Sequence, residues 1–243
     1  MPRDPRGPNS GSDMLSASCN DVTVAVNADD RQAPLSLREA DAAGRVELQA
    51  FIAARFAEVY GATLYNFMPR LFGLRDEQGT LLAAFGMRPA QHGSERDPLF
   101  LEHYLDRPVE GLVAQAAGRP VPRDHVVEVG NLAGATPGAL RQLIPLVCEQ
   151  LHREGYHWVV FTGPARLCNS FSRLGLPLKV IASAPVERLS AEERQRWGRY
   201  YDHQPSVMTG DIVSAAQTLR DLRRLSPAAL NDRLAPLTGV GAP

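Results

Sequence analysis

Glu128 stands alone as an acid in the apolar run His125 to Val129. If that run is a strand, alternation puts Glu128 on the face opposite Val127 and Val129. A carboxylate set in such surroundings loses hydration, its pKa rises toward neutrality, and it becomes fit to take a proton from an amine. Arg88 closes another apolar run and could either meet solvent or bind an acceptor's carboxylate. Glu102 and His103, embedded in Leu99 to Leu105, pose the same choice between solvent and a cleft. Behind Glu128 follow Gly130, Gly134 and Gly138, with Thr136 as an N-cap and Pro137 at the first helical position. Strand, small-residue turn and helix leave backbone N–H groups aimed outward, which suits the diphosphate or phosphopantetheine of an acyl carrier. The turn matches neither a dinucleotide fingerprint nor a Walker loop.

Elements must hold these groups in place. Leu48, Phe51, Ile52, Phe56, Val59 and Tyr60 form a helical stripe ended by Gly61. Asp76 to Gly79 between two apolar runs predicts a hairpin over 71–84, its second strand running to Arg88 and stopped by Pro89. Residues 99–105 read as a strand or a short helix, and Val109 to Ala117 as a helix. Leu140, Leu143, Ile144, Val147 and Leu151 give the buried face of a helix after the turn. Tyr156 to Gly163 is a second apolar strand, so strand–helix–strand predicts parallel pairing. A helix from Pro164, a strand over 178–182 and a capping box at Ser190 and Glu193 follow. Ser214 to Leu225 is a basic amphipathic helix, and Asn20 to Val26 reads as an edge strand. The expected division is a loosely attached segment 1–34, a domain 35–213, and a C-terminal helix and tail 214–243.

The bulk composition, 44% hydrophobic and 22% charged with a net charge of -1, is that of a soluble globular protein. It gives no electrostatic case for nucleic acid. Cys19, Cys148 and Cys168 lack metal-ligand spacing and read as reduced thiols of a cytoplasmic protein. No apolar run spans a bilayer and no secretory signal is visible. His103, His157 and His203 are too scattered for a metal site or triad, and Ser170 and Ser172 lack a nucleophile elbow.

The element order is similar to that of the GCN5-related N-acetyltransferase (GNAT) fold: an α+β or α/β architecture with a mixed central sheet flanked by helices. The segment Asn169 to Leu176 resembles that superfamily's Asn…aromatic…Leu-Gly-Phe stretch, although no Gln or Arg precedes Gly134 and Ala135. Tyr60-Gly61-Ala62, Phe67-Met68-Pro69, Phe100 to Leu105, Val127 to Ala133, Trp158 to Thr162 and Trp197 to Tyr201 resemble the thermostable hemolysin family. Acyl-homoserine-lactone synthases are a more distant comparison. Arg88 and Glu128 have counterparts there, but Val-Gly-Asn after the acid departs from that family's motif.

These resemblances imply transfer of an acyl group, fatty by expectation, from an acyl-CoA or acyl-carrier-protein thioester to a small amine or amino acid. No tightly bound cofactor and no metal is expected. Glu128, Asn131 and Tyr200 are the implied catalytic residues, with Tyr201 an alternative to Tyr200. Val129, Gly130, Leu132, Gly134, Ala135, Thr136, Gly138 and Asn169 would hold the acyl carrier. Arg88, Glu102 and His103 would hold the acceptor. Asn131 could equally satisfy its own turn. The family name carries a second reading, a membrane-active protein without enzymatic activity, touching a membrane weakly through the 214–225 helix.

Overall fold

The computed structural model describes residues 22–23, 35–93, 95–96 and 98–225. In chain order they form β1 (Val22–Thr23), β2 (Ser36–Glu39), α1 (Ala42–Tyr60), β3 (Arg70–Arg75), β4 (Leu81–Pro89), β5 (Gln91–His92) and β6 (Glu95–Arg96). There follow α2 (Val109–Ala117), β7 (Val126–Gly134), α3 (Pro137–Arg153), β8 (Trp158–Gly163), α4 (Ala165–Arg173), β9 (Lys179–Ser183), α5 (Ala191–Arg196), β10 (Ser206–Asp211) and α6 (Ile212–Leu225). Residues 100–104 make a 3₁₀ turn, which settles the strand-or-helix choice for that run.

One sheet of order β1-β2-β3-β4-β7-β8-β10-β9 runs through the molecule. The β7–β8 pair is parallel, as a strand–helix–strand crossover requires, and the other pairs are antiparallel. This is the mixed, helix-flanked GNAT-like sheet that the element order predicts. Its core lies on both faces. Phe72, Phe85, Val127, Val129 and Met208 pack with Leu143 of α3, whereas Val126, Trp158 and Val160 pack with Val109 and Val113 of α2.

Several elements differ from expectation. The central strand does not end at Val129 but continues to Gly134, because β4 keeps pairing with it as far as Ala83↔Gly134. The expected loop is therefore only the short turn at Ala135 and Thr136, where the Thr136 hydroxyl accepts the Ala139 N–H at 3.2 Å. Strands β2 and β10 were not legible. The latter inserts between β8 and β9, so the strand near residue 180 is an edge, not a neighbour of β8. Helix α6 begins at Ile212, and its apolar stripe of Ile212, Ala216, Leu219 and Leu222 is buried, Leu219 against Ile144 and Cys148 of α3. That face is thus unavailable to a membrane surface, contrary to the expected contact. Of the predicted strand 20–26 only Val22 and Thr23 lie within the described residues, paired with Leu37 and Ser36.

Candidate active site

The site begins where two central strands part. Strand β7 pairs with β8 at Val126↔Trp158, Val127↔Val159 and Glu128↔Val160, and the described pairing stops there. Beyond that point β7 is bent by a bulge. Gly86 faces Gly130 and Ala84 faces Ala133, so Asn131 and Leu132 together oppose Phe85 alone. Asn131 takes the extra step in the left-handed region, φ 51°. Two residues against one shorten and twist a strand locally, and this one swings from its parallel neighbour.

A cavity of about 860 Å³ opens in the wedge. One wall is the apolar stripe of α3, with Leu140, Ile144, Val147 and Leu151 on successive turns. The opposite wall is aromatic: Phe56, Tyr60, Phe100, Trp197, Tyr200 and Tyr201 touch one another edge-on or tilted. The floor is set by paired glycines. A Cβ on Gly86 or on Gly130 would fall 2.5 Å from side-chain atoms of Met68, so the two glycines form the notch that this methionine fills. Its loop is anchored from both sides. The Met68 N–H donates to Asn131 Oδ1 at 2.7 Å, and the Arg45 guanidinium donates to the Met68 and Pro69 carbonyls.

Glu128 lies at the fork, on the cavity wall and only 2% exposed. Its carboxylate accepts the Phe100 N–H at 2.8 Å and the Leu101 N–H at 3.0 Å, both from the 3₁₀ turn. Desolvation pushes its pKa up to about 7, against the opposing pull of those two amides and of Arg88. Arg88 is the cross-strand partner of Glu128, so both side chains project on the same face. Arg88 donates to the Pro98 carbonyl at 3.0 Å and lines the cavity, as does His103, whose Nδ1 is 2.7 Å from the Phe100 carbonyl oxygen.

Glu102 does not fit the acceptor-binding role. It is absent from the cavity wall, and both its oxygens are taken. The Arg123 guanidinium donates to each at 2.8 Å, and the Leu99 and Val109 N–H groups donate at 3.1 Å. Burial alone would raise its pKa; the Arg123 fork and the two amides outweigh that and hold it at about 2.

Tyr200 lines the cavity with its hydroxyl proton donated to the Thr162 carbonyl at 3.1 Å. Tyr201 shares a short hydrogen bond with Tyr104, and burial pushes the Tyr201 phenol up to about 12. Among the proposed carrier-binding residues, Val129, Gly130 and Leu132 line the cavity. Gly134, Ala135, Thr136 and Gly138 do not. Ala135 gives its N–H to the Leu82 carbonyl, and a Cβ on Gly134 would meet Leu140 at 2.8 Å, so this turn is packed closely against its neighbours. The side chain of Asn169 lies outside the described residues.

Sequence reasoning missed Met68, Tyr104, Arg123, Thr162 and the two turn amides. Thr162 Oγ1 is buried on the cavity wall without a hydrogen-bond partner. The isolated glycines 86 and 130 inside strand patterns were a signal of close approach, but nothing in the sequence says what approaches. Among the described residues no group of three or more His, Cys, Asp or Glu could hold a metal, and no helix is long and apolar enough to cross a membrane.

A family model described as thermostable hemolysin matches residues 38–216. No curated protein matches the sequence. Among solved structures, FeeM, an N-acyl amino acid synthase from uncultured soil microbes, is similar at 12% identity and TM-score 0.52, covering 79% of this chain and 97% of its own. The apo form of TofI is similar at 17% identity and TM-score 0.52, covering 80% and 98%. At these identities the likeness is one of fold.

Proposed function

The chain belongs to the thermostable hemolysin family, and from that premise and the site's geometry we propose that it is an N-acyltransferase. It moves a fatty acyl group from an acyl-CoA or acyl-carrier-protein thioester to a small amine or amino acid, making a lipid-like metabolite or signal. The observation that carries this reading is a buried carboxylate, tuned toward neutrality, at the fork of two parted strands on the wall of a large apolar cavity. The description of FeeM as an N-acyl amino acid synthase agrees with it.

The pantetheine arm lies between β7 and β8, where those backbone N–H groups of Val129 to Leu132 that face away from β4 take the place of strand pairing. Glu128 accepts a proton from the acceptor amine, and the nitrogen attacks the thioester carbonyl. The oxyanion of the tetrahedral intermediate is met by an N–H group of the bulge. The C–S bond breaks, the amide forms, and the sulfur leaves as a thiolate that takes up the proton. Glu128 returns to its charged form. Because the Tyr200 proton is already directed at Thr162, Tyr200 shapes the pocket instead of supplying that proton. Arg88 holds an acceptor's carboxylate, with His103 beside it. A cytoplasmic place of action, where such thioesters are made, belongs to the same proposal.

The α3 wall supports a medium-length acyl chain. Leu140 to Leu151 lie eleven residues apart, about 16 Å at 1.5 Å per residue. An extended chain advances about 1.3 Å per carbon, so roughly 12 carbons fit. The test is a panel of acyl thioesters from two to eighteen carbons with a panel of amines and amino acids, followed by free thiol release and product mass. Transfer should peak near 12 carbons, and Leu151→Trp should move the peak to shorter chains while sparing the shortest. Absence of transfer with every pair, together with vesicle leakage by the protein alone, would favour the membrane-active reading.

A further inference from the structure

Glu128 is held by a turn, and the turn is held by something else. The Phe100 and Leu101 amides can reach the carboxylate only while the 3₁₀ turn keeps its place against β7. Four contacts fix that place, and all converge on Glu102. Its carboxylate ties the start of the turn at the Leu99 N–H to the start of α2 at the Val109 N–H. Arg123, 7% exposed, grips both Glu102 oxygens, donates to Glu110 Oε2 at 2.7 Å, and gives its Nε–H to the Ala90 carbonyl at 2.8 Å. Ala90 in turn donates its own N–H to the Val126 carbonyl, two residues before Glu128. The clamp therefore spans the turn, α2, the end of β4 and the start of the strand that carries the acid.

We infer that Glu102 and Arg123 are positioning residues for the proposed base: they fix the two amides that keep Glu128 a usable carboxylate in a site dry enough to neutralise it. Neither residue touches the cavity. The inference rests on the acyltransferase reading for its kinetics but not for its physical core, which concerns one carboxylate and two N–H groups.

The charged and titratable groups around Glu128 allow a test by sign. Arg88 faces it from β4, and Glu102 and Tyr104 act on it from the turn. Glu102 as a mere neighbouring charge raises the Glu128 pKa, whereas the two amides lower it and weigh more. Neutralising Glu102 would thus move Glu128 down if only charge mattered, and up if the amides lose their aim.

The experiment measures the pH dependence of kcat/KM with the best acyl thioester and amine found, and the ¹³C titration of the Glu128 carboxyl without substrate. Glu102→Gln should raise the acid limb and the carboxyl midpoint together by about 1 pH unit, with a roughly fivefold loss of kcat/KM at pH 7 that is recovered at pH 9. Arg123→Lys, which keeps the charge without the fork, should shift both the same way by less. Glu110→Gln leaves the Glu102–Arg123 fork intact and should leave the limb in place. A downward shift or an unmoved midpoint in both Glu102→Gln and Arg123→Lys overturns the inference. If wild-type protein transfers no acyl group, the proposed activity falls instead, and the carboxyl titration still decides this point.

Discussion

The 3₁₀ turn engages two glutamates, Glu128 buried and Glu102 partly buried, and each accepts two backbone N–H groups. Their fates diverge because of one cation. On the α2 side Arg123 closes on Glu102 at two points, and the carboxyl is held at about 2. On the cavity side Glu128 has Arg88 across the strands without a direct ion pair among those described, and burial wins, pushing it up to about 7. The comparison separates structural acid from reactive acid by burial and by ion pairing together. A saturated carboxylate cannot take a proton from a substrate, whereas one that is desolvated and only half satisfied can.

Three substitutions would break or sharpen that contrast. The largest effect is expected from Glu128→Gln, which should lower kcat/KM by about 10²–10⁴-fold and abolish the limb near pH 7, measured over pH 5.5–9. A Gln enzyme that turns over normally would erase the distinction. Next, Arg123→Ala leaves Glu102 and Glu110 without their common partner and should cost about 3 kcal/mol by urea unfolding at pH 7. The sign follows from the lowered pKa: Glu102 contributes stability above its unfolded value of 4.5, and that stability fades as pH falls toward about 2. The wild-type protein should therefore lose stability between these values, and the Arg123→Ala protein should lose less. The smallest effect is expected from Arg88→Ala, which should raise the acceptor's KM about tenfold with kcat nearly kept, if the acceptor carries a carboxylate. Amines without a carboxylate should not notice the change.

The acid itself was legible in the sequence, because one Glu among three valines has few places to go. So were the stripes of α1 and α3, the hairpin and the parallel crossover, all of which follow from local period and capping. What the sequence could not convey was which partners distant segments would supply. Glu102 looks like Glu128 in a window of apolar neighbours, and only Arg123, brought in from the turn before β7, tells them apart. The extension of β7 to Gly134 was hidden for the same reason. Its residues are small and turn-like, and pairing with β4 overrides that preference. The stripe of α3 was read as a buried face, and Leu143, Ile144, Val147 and Leu151 are buried as expected. What the stripe could not show is that Leu140, Ile144, Val147 and Leu151 also line the cavity.

The methionine seated over two facing glycines ties three positions into a single heritable unit. A methyl group added at 130 meets only the end of the Met68 side chain, which can shrink or swing, whereas one added at 86 meets the Met68 Cβ itself at 2.5 Å and requires the loop backbone to move. A larger residue at 130 should thus follow a smaller one at 68, while position 86 should stay glycine whatever stands at 68.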